Sequence, residues 1–436
     1  MITTMSKIKE VVIDINQLGA LSSTSIRMNR FILLSGESGL GKTYVSILCD
    51  YVYVLLTGHH HFDNFFKDKG LDDGFLQKMT GGEVETTITK DELETWINGN
   101  ATNFLYYMLK SEKPVDVSYH FPIKEKMMMK ISMAQQGLQG SEVCMARFQV
   151  EQSPSFSFTL GGEQVNSRNP FTAALQLYLQ EAILGTPEAL KNNYILPPGR
   201  GTVMTEGMEP RTGLYIEFKR QFDKLRESEM EGKIENTALE HAITEILDGR
   251  VYKKEGSGYY YSTRGEEIPI TAAASSIREM APLSLFVDKY DLKKCSLMIE
   301  EPEAHLHPMK QRLMADVLSL MFAGGCHLVI STHSDYFLRR MNEILSAQKI
   351  YQSDSINGKI LADRLKVILS TVYDRSEISA YVLKRDPTTG LVAIIEQNDE
   401  REISFDSFDD VLQIDMQNYD AIQEYFASNE DRYGRS

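Results

Sequence analysis

The segment Gly36-Glu37-Ser38-Gly39-Leu40-Gly41-Lys42-Thr43 constrains this chain more than any other feature. It fits G-x-x-x-x-G-K-T and lies between the apolar run at residues 31–34 and a stretch in which Val45, Ile47, Leu48, Val52, Leu55 and Leu56 recur at mostly helical spacing. The order is strand, glycine-rich loop, helix, the context in which backbone N–H groups at a helix N-terminus cradle polyphosphate. The glycines admit close backbone approach, Lys42 supplies a charge for the β and γ phosphates, and the Thr43 hydroxyl can ligate magnesium.

A second core lies downstream, with a buried strand at 296–299, a helix at 309–322 and another strand at 327–330. Parallel strands joined by helices imply a doubly wound α/β layer, to which a half-buried strand at 11–15 would add. Lys42 and Glu300 stand 258 residues apart, so the chain between them carries inserted structure of its own. Within it, 115–160 reads as strand-rich with turns at Gly137, Gly140 and Gly161-Gly162, and 172–184 and 212–248 read as helical. Leu214, Phe218, Phe222 and Leu225 mark one helix and Leu239, Ala242, Ile243 and Ile246 another; the break near Gly232 leaves no heptad array for a coiled-coil arm. Beyond the second core, 380–384 and 391–396 flank Asp386-Pro387-Thr388-Thr389-Gly390 as a hairpin, followed by a strand around Ile403 and a helix at 418–426. The expected partition is 1–60 and 265–345 as two halves of one α/β core, 61–264 as a large mixed α+β insertion, and 346–436 as a small, acidic C-terminal α/β extension.

After the downstream strand, Glu300 and Glu301 place one carboxylate to hold the metal shell and the next to orient or deprotonate a water, the two tasks of phosphoanhydride hydrolysis. Pro302-Glu303-Ala304-His305-Leu306-His307-Pro308 follows; past the next strand stands Ser331-Thr332-His333-Ser334-Asp335, with His333 at a strand end that could face the γ-phosphate.

In these strings the chain resembles the ATP-binding-cassette (ABC) type of P-loop ATPase, in the branch that includes chromosome-maintenance (SMC) heads, recombination-repair heads and overcoming-lysogenization-defect (OLD)-like ATPases. The resemblance implies ATP and Mg2+ as cofactors, Glu300 as the Walker B acid, Glu301 as the catalytic glutamate, the segment through Pro308 as the D-loop region and His333 as the switch histidine. It covers the core motifs and not the insertion. Such cassettes also take a signature serine from an opposing subunit, and Ala274-Ser275-Ser276-Ile277-Arg278-Glu279 is placed for it, Ser276 preceding Glu300 by 24 residues. Ile277 stands where the family usually has glycine, Glu37-Ser38 where a Pro-Asn-like pair is common, and Leu40 where serine is common. Ser275 or Ser276 would equally cap the helix running towards Leu285, and capping and phosphate contact can share one end.

Charge and composition narrow the function classes. Forty-six Lys and Arg against 61 Asp and Glu leave a net charge of −15, so unspecific attraction to nucleic acid or anionic membranes is not the default, although a local basic patch could still bind nucleic acid. From Asp399 onward there are three basic and eleven acidic side chains, a solvated tail or a surface for a basic partner. No stretch is apolar enough for a membrane span or a signal peptide, and four cysteines without a C-x-x-C pair read as reduced thiols, so a cytoplasmic protein is expected. His59-His60-His61 reads as a solvated loop rather than a metal site, and Arg200, in Pro197-Pro198-Gly199-Arg200-Gly201, as a solvated turn charge rather than a phosphate or interface arginine.

OLD-like proteins join such an ATPase to a metal-dependent nuclease domain of the topoisomerase-primase type. Here Glu396 ends a strand, but Asp406, Asp409, Asp410 and Asp415 do not follow a second apolar strand as Asp-x-Asp, so no such domain is expected in this chain. The resemblance then implies an ATPase that forms a homodimer or higher homo-oligomer through its ATP sites and controls a separate effector, a nuclease or toxin, as in antiphage defence. A repair or recombination ATPase acting on DNA, and a nucleotide-gated scaffold with little turnover, remain alternatives.

Overall fold

The computed structural model describes residues 8–58, 60–72, 82–112, 115–138, 141–150, 156–161, 169–187, 189–206, 209–227, 237–254, 258–369, 375–397, 403–404 and 406–428. The chain opens with β1 (Val12–Leu18), β2 (Leu21–Arg27), β3 (Phe31–Gly36), α1 (Lys42–Thr57) and α2 (Asp63–Asp68). Next come β4 (Gly82–Thr89), α3 (Lys90–Leu109), β5 (Val115–His120), β6 (Lys126–Leu138), β7 (Ser141–Val150), β8 (Phe156–Gly161), α4 (Pro170–Leu184) and β9 (Asn192–Leu196). Helices α5 (Arg200–Glu206), α6 (Gly213–Glu227) and α7 (Thr237–Leu247) lead to β10 (Arg250–Lys254), β11 (Gly258–Thr263) and β12 (Glu266–Pro269). Then follow α8 (Ser275–Lys289), β13 (Cys295–Glu300), α9 (Pro308–Ala323), β14 (His327–Ser331), α10 (Asp335–Ser353), α11 (Ser355–Leu365), β15 (Ile378–Arg385), β16 (Val392–Gln397) and α12 (Asp406–Ser428).

The central sheet has nine strands in the order β5-β1-β2-β16-β15-β3-β14-β13-β9. From β15 to β9 neighbouring strands run parallel, while β1 pairs antiparallel with both β2 and β5. Burial explains the difference. Every residue of β13 and β14 is buried, and β3 is buried from Phe31 to Ser35, the pattern of strands covered on both faces. Their side chains alternate between two cores: Ile32 and Leu34 join α1, α3 and α4 on one face, and Phe31 and Leu33 join α7, α8, α9 and α10 on the other. The sheet draws strands from all four sequence segments, since β5 and β9 come from 61–264 and β15 and β16 from 346–436.

Two antiparallel sheets form outside the central one: β4-β6-β7-β8 lies within the inserted stretch, and β10-β11-β12 runs past its expected end at 264, with β12 at Glu266–Pro269. Gly137 sits inside β6 rather than in a turn, while Gly140, Gly162 and Gly232 lie outside the described residues. The Asp386–Gly390 turn joins β15 to β16 as expected, with Asp386 Oδ1 accepting from the Thr388 and Thr389 N–H groups. No strand forms at Ile403. This residue is buried, and both its backbone polar groups pair with the Asn342 carboxamide, so a side chain replaces the ladder that an apolar residue there suggested. Helix α12 contains the expected 418–426 helix, and its side chains from 411 to 428 are all exposed. Among the described residues no helix is long and apolar enough to cross a membrane.

Candidate active site

The site gathers at the C-terminal ends of β3, β14 and β13, where a parallel sheet leaves its crevice. Gly36 closes β3 with φ 126°, and a Cβ there would lie 2.4 Å from the Leu383 carbonyl of β15, so only glycine lets the loop leave the strand. Gly41, with φ 97°, is the N-cap of α1, leaving the first N–H groups of that helix to point into the loop. Glu37, Ser38 and Gly39 are exposed around this cradle, and Leu40 is buried beneath it.

Lys42 is 6% exposed and its ammonium lies 2.8 Å from Gly36 O, 2.7 Å from Glu37 O and 3.2 Å from His333 Nδ1. Burial lowers its pKa to about 8, against the pull of the Glu301, Glu303, Glu300 and Glu37 carboxylates. An ammonium only donates, so His333 Nδ1 accepts and its proton sits on Nε2. That Nε2 lies 3.3 Å from Glu301 Oε1 and 3.5 Å from Ser38 Oγ. The hydrogen bond from His333 holds the Glu301 carboxyl below the ordinary range.

Glu300 ends β13, and its Oε2 accepts from Thr43 Oγ1 at 3.2 Å. Its Oε1 is buried without a partner among the described residues, and burial raises its pKa to about 7, opposed by the Thr43 hydrogen bond. A buried carboxylate oxygen lacking a donor, beside a hydroxyl, is a hard-oxygen set that fits Mg2+. Glu301 follows in the left-handed region at φ 45°, its N–H donating to Ser331 O at 2.9 Å. The carboxylate thereby turns out of the sheet towards His333.

The structure thus brings Ser38, Lys42, Thr43, Glu300, Glu301 and His333 into one cluster. Ser275 and Ser276 stand apart from it at the first turn of α8, Ser275 exposed and Ser276 half-buried. Neither caps that helix. The cap is Ala274, whose methyl offers no acceptor, so the early N–H groups of α8 have no side-chain cap.

Two residues of the site were not assigned from sequence. Glu303 is buried, and its Oε1 accepts from Thr332 Oγ1 at 2.8 Å and from the His333 N–H at 2.7 Å, fixing the backbone that carries His333. Arg200 is the larger correction: it is 0% exposed, not a solvated turn charge. It follows β9, which lies beside β13, so its guanidinium reaches the Glu300 carbonyl at 3.1 Å and the Glu279 carbonyl at 2.9 Å. The apolar residues Ile195 and Leu196 before Pro197 carried the signal, a further parallel strand ending beside β13. In the histidine run, His60 pairs with Asp63 at 2.8 Å, His61 is half-buried against Tyr51 and Trp96 rather than solvated, and His59 lies outside the described residues.

Residues 208–338 match the family model of the AAA ATPase domain, a span that holds α8, Glu300, Glu301 and His333. No curated protein matches the chain. Similar solved structures include the Smc head bound to the C-winged helix domain of ScpA, at 12% identity over 90% of this chain and 98% of that one, TM-score 0.39. Another is the SMC head domain from Thermotoga maritima, at 9% identity over 90% and 99%, TM-score 0.33. A third is the Smc head with an extended coiled coil bound to the C-terminal domain of ScpA, derived from Pyrococcus furiosus, at 11% identity over 96% and 100%, TM-score 0.38. The chain is an α/β protein built on a largely parallel central sheet, and its residues 208–338 are similar to the AAA ATPase domain.

Proposed function

We propose that this protein hydrolyses ATP, and that two copies close head to head around ATP to control a separate effector protein. The observation that carries the reading is the cluster in which Lys42 and Glu301 meet on opposite nitrogens of His333 while Thr43 and Glu300 share a hydrogen bond beside them. In it, the loop from Gly36 to Thr43 binds the phosphates through backbone N–H groups, and Lys42 turns from the Gly36 and Glu37 carbonyls to the β and γ oxygens. Thr43 and Glu300 would hold Mg2+, which would supply positive charge beside the phosphate oxygens. Glu301 accepts a proton from the attacking water, and His333, on a backbone fixed by Glu303, orients both.

The uncapped start of α8, with Ser275 exposed, supports a phosphate contact made in trans. Helix α12 supports an effector: Val411, Leu412, Ile414, Met416, Tyr419 and Ile422 are all exposed on a helix that bears six acidic and no basic residues. Such a surface suits a protein with apolar and basic groups better than DNA. The antiphage setting follows from the resemblance to OLD-like ATPases, and an adjoining nuclease or toxin gene would support it.

Mixing tests the composite site. Ser276→Phe and Glu301→Gln should each abolish turnover alone. Mixed, they should recover about a quarter of wild-type turnover, because half the dimers are mixed and each mixed dimer has one intact site. No recovery from well-folded variants that each bind ATP would refute the two-headed site.

A further inference from the structure

We propose that Arg200 is a positioning residue for hydrolysis, whose guanidinium ties the peptide between Glu300 and Glu301 to helix α8 so that contact at the α8 N-terminus is felt at the Glu301 carboxylate. The inference rests on the two-headed reading above.

That peptide is gripped at both ends. Its carbonyl, Glu300 O, accepts from Arg200 Nη1 at 3.1 Å, and its N–H, on Glu301, donates to Ser331 O at 2.9 Å. With the plane of the peptide held from two sides, Glu301 keeps a φ of 45°, a region that a glutamate leaves unless its surroundings impose it. This conformation is what brings its carboxylate to His333.

The other branch of the fork grips α8. Arg200 Nε donates to Glu279 O at 2.9 Å, and the Glu279 carboxylate accepts from the backbone N–H groups of Arg200 at 3.2 Å and Gly201 at 2.9 Å. There is little slack between the helices, because a Cβ on Gly201 would sit 2.8 Å from the Arg278 carbonyl carbon. Glu279 lies one helical turn beyond Ser275 and Ser276. Pro282, inside α8, further removes a backbone donor from the ladder next to this contact. The path from the serines to the hydrolytic carboxylate is therefore one turn of helix, one buried guanidinium and one peptide. Lysine cannot replace this arrangement, because a point charge on a flexible stem lacks the planar fork that reaches the Glu279, Pro197 and Glu300 carbonyls together.

The test uses the full chain with ATP and Mg2+. Arg200→Lys should lower kcat by about a hundredfold while KM and ATP affinity stay within about twofold, since Arg200 touches only the main-chain carbonyl of Glu300 and neither its carboxylate nor the loop from Gly36 to Thr43. Should that variant fold poorly, the Arg200→Met/Glu279→Gln double variant removes both buried charges while the amide oxygen at 279 can still accept from the Gly201 N–H. It should keep a single cooperative melting transition, bind ATP and show the same loss of kcat. Wild-type kcat in the folded double variant overturns the proposal, and so does a loss of ATP affinity that matches the loss of kcat, the mark of a residue that only supports the fold. The readings separate in a Glu301→Gln background: failure of Glu301→Gln itself to assemble with ATP counts against the two-headed site, whereas undiminished assembly of Arg200→Lys/Glu301→Gln counts against Arg200 as the link.

Discussion

Glu300 should make the protein less stable as pH rises, and Glu300→Gln should remove that dependence. Burial raises its pKa from 4.5 to about 7, while the unfolded chain keeps the ordinary value. Below the unfolded value both states are protonated and the residue costs nothing. As pH rises from about 4.5 to about 7 the unfolded state ionises first, so stability is lost across that window and stays lost above it. At about 1.4 kcal/mol per unit the full cost is roughly 3–4 kcal/mol, of which about 2 kcal/mol develops between about pH 5.5 and about pH 8. The glutamine variant does not titrate. Its amide leaves a buried polar group where Glu300 Oε1 already lacks a partner, a penalty of about 1–3 kcal/mol that is independent of pH. The informative quantity is therefore the slope of the difference. Denaturant midpoints of wild type and Glu300→Gln at several pH values should diverge by about 2 kcal/mol in favour of the variant across that range. Mg2+ with ATP should recover the stability of wild type only, because cation binding favours the ionised carboxylate. Parallel curves would refute the argument that Glu300 is held against its own charge.

Lys42→Ala should lower ATP affinity or turnover by orders of magnitude with the fold retained, measured by nucleotide titration and phosphate release. Glu303→Ala leaves the buried Thr332 hydroxyl and the half-buried His333 N–H without their acceptor, so melting should show a loss of about 1–3 kcal/mol and turnover should fall while ATP still binds. Gly36→Ala drives a Cβ to 2.4 Å from the Leu383 carbonyl at φ 126°; a loss of about 2–4 kcal/mol and of nucleotide binding is expected, and a wild-type melting temperature would contradict the loop geometry.

What was legible in the sequence was whatever is local. The loop from Gly36 to Thr43, the fully buried strands β3, β13 and β14, and the β15–β16 hairpin all announce themselves within a dozen residues, through continuous apolar runs or turn chemistry. The Glu301–His333 contact was legible through the resemblance, which pairs those positions across 32 residues. Arg200 was not, because a charged residue after Pro-Pro-Gly reads as a turn until β9 is known to lie beside β13; its partners are 79 and 100 residues away. Ile403 failed for a related reason, since the Asn342 carboxamide that satisfies its backbone comes from α10. The membership of β5 and β9 in the central sheet is likewise a matter of long-range pairing that no local period encodes.

The most direct measurement is the mass of Glu301→Gln in solution with ATP and Mg2+. The substitution keeps the shape of the side chain but removes the base, so the contacts of Gly36 to Thr43 and of Glu300 with nucleotide and metal should survive while hydrolysis stops. With the γ-phosphate kept intact, light scattering should show Glu301→Gln accumulating as a two-headed species in ATP and returning to a single mass without it, while Lys42→Ala should not change under either condition. One unchanging mass for Glu301→Gln with and without ATP, in a variant that demonstrably binds the nucleotide, would contradict ATP-driven closure of the two heads.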